Sequence, residues 1–331
     1  AAPKPQAAAP AAAGSYADML NKMPEKTRKA YEALQNAVRE GKATDAERMQ
    51  ALVGLALAAG EHSDPEIRRL PYIGMTWNLE KGEEAVSKFA AQLKKEQDPK
   101  VLDVMLSSHM NNLFDADIYA VFKQHATHEN VDVRMAAMKG LINSNNRAVE
   151  GIEAEAIKFM DDADESVRVR ACENLLRAGN SLVLPQVEAM LKGTDASQEK
   201  VLAGCAKGLL NQWYYAPFFK EFDAKAYQLT LDYLNKTPRS KELPTWTVLS
   251  TLGKAPKDEW KTLAKEYKGK DVTAALVAVA KDAGASKQAR EYAIGAIAVH
   301  GTKADLEALA KALGDDPVAK VVEKTLQKLN S

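Results

Sequence analysis

The sequence predicts an all-α chain of stacked antiparallel helix pairs, an α-solenoid, and three observations predict it. The pattern Val-Arg-x-x-Ala-x-x-x-Leu runs from Val133 to Leu141 and again from Val167 to Leu175, with starts 34 residues apart. Looser copies begin at Ile67, Val101 and Val201, so successive starts are separated by 34, 32, 34 and 34 residues. Gly (18) and Pro (13) are sparse in 331 residues while Ala, Leu, Lys and Glu are common, which favours helix over strand. A fixed period in the low thirties marks a repeat array. Apolar residues at i, i+4 and i+8 of each copy fall on one helical face. The chain is long for one core, but a repeat array escapes that limit because each unit packs only on its neighbours.

Taken in order, residues 1–14 read AAPKPQAAAPAAAG, an Ala/Pro tether that cannot bury a core. Such a tether at a start without Met looks like the mature end of an exported protein or the spacer behind a bacterial lipid anchor. That places the chain in the periplasm or tethered to the membrane on the periplasmic side, with the cytoplasm as the alternative. Residues 15–210 form an N-terminal run of repeats. Pro24 suits a helix first turn and Gly41 a helix end. Thr44 or Asp45 caps the next helix, which stops at Gly60. Asp64-Pro65 and Asp98-Pro99 are acidic entries to the following copies. Between copies lie second amphipathic helices around Ile118–Phe122, Ile152–Met160 and Leu184–Leu191. Each unit is therefore helix, turn, helix.

The rhythm breaks in residues 211–256, an irregular segment that holds the aromatic run 213–222, WYYAPFFKEF. Residues 257–331 return to repeats, with copies at Ala289–Ile297 and Val318–Leu326. Lys320, Glu323, Lys324, Gln327 and Lys328 give the last helix the polar face of a terminal cap.

Forty-five basic residues balance 45 acidic ones, which argues against nucleic acid and anionic membranes as partners. No apolar run is long enough to span a bilayer. The pattern favours reading Cys172 and Cys205 as two small buried side chains in adjacent repeats. Cys205 aligns with Ala171, which leaves Cys172 one residue, about 100°, out of register. A disulfide between neighbouring helices is the alternative, open only in an oxidising compartment.

The acidic turn leading into Val-Arg-x-x-Ala-x-x-x-Leu resembles the second helix of a short-period, bacterial HEAT-like repeat, a kind also seen in bilin-lyase-type proteins. The resemblance covers residues 46–330, clearly at 129–178 and 286–329 and weakly at 213–256. It implies a right-handed α-solenoid with an inner, concave helix layer. Arg134, Arg168 and Arg290 match the family's Arg position and Asp64 and Asp164 its turn Asp, where the two residue types are expected to pair and to satisfy first-turn amides.

Chemistry is hard to place on this array. His125-x-x-His128-Glu129 is the densest His cluster. It supplies one His-Glu pair where iron-binding HEAT-like hydroxylases use several, and exposed polar residues are ordinary at such a turn. No phosphate-binding glycine loop or nucleophile elbow occurs. Gly204 and Gly208 read as sites of close helix packing, and Trp77 and Trp246 as packing residues. The expectation is a non-enzymatic scaffold without cofactor or metal that binds a protein or peptide through its concave face. Trp213, Tyr214, Tyr215, Phe218 and Phe219 are the anchor candidates, because aromatic residues dominate binding hot spots. The alternatives are a DNA binder related to HEAT-like alkylpurine glycosylases, and a lyase or chaperone for a small chromophore.

Overall fold

A computed structural model describes residues 44–330 except 74–75, 80–83, 147, 216–222, 237–242 and 255–269, together with part of 21–43. From residue 44 on, the described residues form sixteen α-helices and no strand. The chain divides into two compact units, 1–152 and 153–331. The first holds α1 (Asp45–Gly60), α2 (Pro65–Arg69), α3 (Glu84–Lys95), α4 (Pro99–Ser108), α5 (Ala116–His125) and α6 (Val131–Leu141). From the boundary onward run α7 (Ile152–Ile157), α8 (Glu165–Arg177), α9 (Leu184–Lys192), α10 (Glu199–Tyr215) and α11 (Asp223–Asn235). They are followed by α12 (Leu243–Leu252), α13 (Lys270–Lys281), α14 (Lys287–His300), α15 (Lys303–Leu313) and α16 (Ala319–Asn330).

Within each unit a helix packs on the next but one. In the first unit α2 packs on α4 and α4 on α6, while α1 packs on α3 and α3 on α5. In the second the two rows are α8-α10-α12-α14-α16 and α9-α11-α13-α15. The apolar positions of the repeated pattern make these contacts. Val101, Val133, Ala137, Val167, Ala171, Leu175, Ala293, Ile297 and Val322 are all at most 2% exposed. The polar side of α16 is exposed at Lys320, Glu323, Lys324, Gln327 and Lys328, as the sequence predicts. Trp77, 1% exposed, is a core residue.

Helix ends follow local chemistry. Thr44 caps α1 in a capping box with Glu47. Gly41 takes φ 65°, the left-handed conformation of a helix stop. Pro71 stands where the clearest copies carry Ala137, Ala171 and Ala293. The helix accordingly shortens to α2 and ends in a 3₁₀ turn, Leu70–Tyr72.

The turns into α2, α4, α6 and α8 share one hydrogen-bond scheme. Asp64, Asp98, Asn130 and Asp164 each accept from the backbone N–H two residues on, at 2.8–2.9 Å. The cap's own N–H donates to the side chain two residues back: His62 Nδ1, Glu96 Oε1, His128 Nδ1 and Asp162 Oδ1. Arg68, Arg134 and Arg168 then reach back over the turn. Each Nη1 donates to the carbonyls six and five residues earlier, at 2.6–3.0 Å. The recurring cation therefore clamps turn carbonyls in addition to any role beside the cap carboxylate. The turn into α4 has Leu102 in the arginine's place. There Arg68 of the preceding turn reaches across and binds Glu96 through Nε (2.7 Å) and Nη2 (2.9 Å). Arg290 makes a different contact, donating Nε to Ala280 O (2.8 Å) and Nη2 to Asp316 (2.7 Å).

A second periodic element was not anticipated. Asn112, Asn146 and Asn180 lie 34 residues apart and are all buried. Asn112 donates to Trp77 O (2.8 Å) and Asn146 to Met110 O (2.6 Å) and Gly140 O (2.9 Å). The bonds to Trp77 O and Met110 O satisfy carbonyls of the preceding helix–turn connection, while Gly140 O also accepts from Asn143 N–H at 3.1 Å.

Helices α8 and α10 approach more closely than ordinary side chains allow. A Cβ on Gly204 would lie 2.6 Å from Val169 O, and one on Gly208 2.4 Å from Glu173 O. Here Cys172 and Cys205, both fully buried, are joined in a disulfide with Cα atoms 4.7 Å apart. The cysteines are thus a covalent link and not merely two small side chains. The glycine-lined approach brings the backbones near enough to absorb the one-residue offset.

Gly208→Ala should destabilise the second unit by about 1–3 kcal/mol through backbone overlap. Gly295→Ala, on α14 where a Cβ meets no atom within 4 Å, should stabilise by up to about 1 kcal/mol; urea melts of the two variants check the opposite signs. Replacing both cysteines by Ala should cost about 3–4 kcal/mol by the loop-closure argument for a link spanning 33 residues. The unfolded wild-type chain should show no thiol until a reductant is added.

Candidate partner-binding groove

The aromatic run predicted as an anchor is only partly described. Trp213, Tyr214 and Tyr215 form the last turn of α10, which continues unbroken past Leu210. Phe218 and Phe219 lie outside the described residues, as does Trp260. Beyond that run, the chain builds an open groove between α9 and α11, both of which pack on α10.

Pro185 in the first turn of α9 fixes its start, and Val187 is buried beneath it. One turn further on, Glu188, Leu191 and Lys192 form one wall. The other wall is Leu229 and Asp232 of α11, with Asn235 and Lys236 at its end. The groove encloses about 380 Å³. Leu229 is 2% exposed and forms an apolar floor with Leu191.

Lys236 fixes the distance between the walls. Its ammonium donates to Leu191 O (2.9 Å) and Gly193 O (2.5 Å), the carbonyls that the end of α9 leaves without helical partners. A cation at a helix C-terminus is also favoured by the helix dipole. Asp232 is oriented by the Gln228 side-chain amide, which donates to Oδ1 at 2.9 Å.

No family model and no curated protein matches the chain. The groove must therefore be interpreted from its own chemistry.

The other constellations are accounted for by packing. His125 is buried, 7% exposed, and not the surface residue its turn position predicts. Its ring stands 5.5 Å from that of His128, and His128 Nδ1 is the acceptor of the turn scheme. Burial and the neighbouring His128 both push His125 below the ordinary imidazole range. Among the described residues no group of three or more His, Cys, Asp or Glu side chains is arranged to hold a metal ion. Glu173, 6% exposed, is bound by Lys207 (2.8 Å) and Arg170 (3.2 Å), a pair of cations that offsets its loss of water.

At Glu96 burial opposes ionisation. The Arg68 guanidinium and the N–H groups of Asp98 and Gln97 outweigh it and hold the carboxyl below its usual range.

Sequence reasoning missed the groove because its residues carry no motif. Glu188 and Asp232 are ordinary polar positions on two helices, and only their apposition makes a site. The one available cue was Lys236 just past a helix end, where a cation finds carbonyls.

His109 gives a pH prediction for the first unit. It is fully buried, with Nδ1 3.1 Å from Asn112 Nδ2 and Nε2 without a partner among the described residues. Burial pushes its pKa down from 6.5 to about 3. Its folded value lies below its unfolded one, so the unfolded chain takes up a proton that the folded chain refuses. Stability is then full above about pH 6.5 and falls as the pH drops toward 3. At pH 5 the loss should be about 2 kcal/mol. His109→Phe should show a correspondingly smaller drop between pH 7 and pH 5 in urea midpoints, because His125 and His300 contribute equally to both proteins.

Proposed function

We propose that the chain is a HEAT-like, right-handed α-solenoid that acts as a non-enzymatic scaffold and binds a protein or peptide partner. The observation that carries this reading is the next-but-one packing of helices in two rows within each unit. It is reinforced by the same capped, arginine-clamped turn recurring with the repeat. Arrays of this kind expose extended surfaces on which function depends on grafted sites. The α9–α11 groove is the site we assign to the partner in place of a purely concave-face contact. Its apolar floor with a polar rim is the usual anatomy of a recognition surface.

We also infer that the protein works in an oxidising compartment, the periplasm in a bacterium. The Cys172–Cys205 disulfide supports this, since such links persist outside the reducing cytosol. No helix among the described residues is long and apolar enough to cross a membrane.

Panning a random peptide library against the full chain tests the scaffold reading. Enriched peptides should lose binding to Asn235→Arg, which fills the groove rim, and keep it with Glu323→Arg on α16. Failure to enrich any peptide above a blank surface, or equal binding to both variants, would sink the assignment.

A further inference from the structure

We infer that the first unit is acid-responsive: as the pH falls from 7 to 5 it loosens at the turns into α2 and α6, while the second unit holds. This response is built into the turns and stands whether or not the groove binds a partner.

Four of the five histidines, His62, His109, His125 and His128, fall in the first unit. Imidazole is the side chain whose charge ordinarily changes between pH 5 and pH 8. What matters is the role each ring nitrogen plays. A backbone N–H can only donate. His62 Nδ1 accepts from Asp64 N–H at 3.0 Å and His128 Nδ1 from Asn130 N–H at 3.0 Å, so neither nitrogen carries a proton. His109 is held to the same role in the core. Asn112 Oδ1 accepts from Leu79 N–H (3.2 Å) and its Nδ2 donates to Trp77 O (2.8 Å), which fixes the amide. Nδ2 therefore points its other N–H at His109 Nδ1, 3.1 Å away. A proton added to any of these rings goes to Nδ1, turns the acceptor into a donor and sets N–H against N–H.

The matching acceptors in the turns into α4 and α8 are the carboxylates of Glu96 and Asp162. A carboxylate ordinarily stays charged at pH 5 and goes on accepting. Histidine and carboxylate thus alternate at 62, 96, 128 and 162. The second unit's one histidine has the opposite polarity. His300 Nε2 faces Leu252 O at 3.0 Å, and a carbonyl only accepts, so the imidazolium keeps that bond.

The charged groups around the two turn rings leave this intact. At His62 they are Glu61, the cap Asp64, Glu66 and Arg68, whose Nη1 donates to His62 O (3.0 Å) and whose other nitrogens hold Glu96. At His128 they are Glu129, Asp132, Arg134, whose Nη1 donates to His128 O (2.8 Å), and the His125 ring on α5, 5.5 Å away. Asp98 starts α4, which packs on both α2 and α6, and its carboxylate receives the N–H groups of Lys100 and Val101. Each arginine opposes a second cation in its turn, and His125 opposes one at His128. Around His109 stand Tyr72 and Phe89, with ring centroids at 5.9 and 4.6 Å, and burial alone works against its charged form.

Hydrogen exchange of the full chain at pH 7.0 and pH 5.0, read by mass spectrometry and corrected for the chemical exchange rate at each pH, tests this. At pH 5 the amides of 62–69 and 128–135 should lose about threefold to tenfold in protection, the equilibrium weight of one hydrogen bond. Those of 162–169 should not change. Replacing both turn histidines by the residue used at the turn into α8, His62→Asp with His128→Asp, should remove most of the loss. His62→Gln with His128→Gln, neutral acceptors as long as Glu96, should do the same without added charge. No loss in the wild-type chain, an equal loss at 162–169, or a loss that persists undiminished in a folded double variant would overturn the inference.

Discussion

Every reversal between helices leaves carbonyl and N–H groups that no helix ladder satisfies, and this chain meets that constraint with a reusable turn. A carboxylate or Asn caps the next helix, a side chain two residues earlier accepts the cap's N–H, and an arginine four residues later covers two carbonyls. The cost of leaving such groups unpaired in a buried turn is about 1–3 kcal/mol each. The scheme accordingly fixes where helices begin, and so which faces meet. Where the arginine is missing, at Leu102, the preceding turn's Arg68 makes up for it through Glu96. The local rule has thereby become a link between neighbouring turns.

The helical rows were legible because their signal is local and periodic. A small or branched apolar residue, most often Val, at the start of each copy and another at i+4 are enough to define a buried stripe, and the starting side chains are buried. Caps such as Thr44, Asp64 and Asp98 follow equally local preferences. The asparagines at 112, 146 and 180 shared the same period and were open to discovery. They were hidden because Asn is common in loops for many other reasons. The groove was not legible at all. Leu191 and Leu229 are 38 residues apart in a chain where leucine is frequent, and nothing in either helix records that they face one another.

The two cysteines show how a register argument can mislead. An offset of one residue between two helices at ordinary spacing would aim the side chains apart. Gly204 and Gly208 remove the side chains that enforce ordinary spacing, and at close range the same offset is bridged with a Cα separation of 4.7 Å. The glycines were identifiable as packing positions; their effect on the sulfurs required both helices to be placed.

That covalent link also changes how the second unit responds to tension. Cys172 and Cys205 enclose the end of α8, all of α9 and the start of α10, so a pull from the two ends bypasses the chain between them. About 110 Å of contour, from a separation of 33 residues at roughly 3.3–3.6 Å each, stays out of reach of the force. The linked pair is thus a mechanical stop, and α9, inside the enclosed loop, is shielded from a strain that would draw out helices on either side.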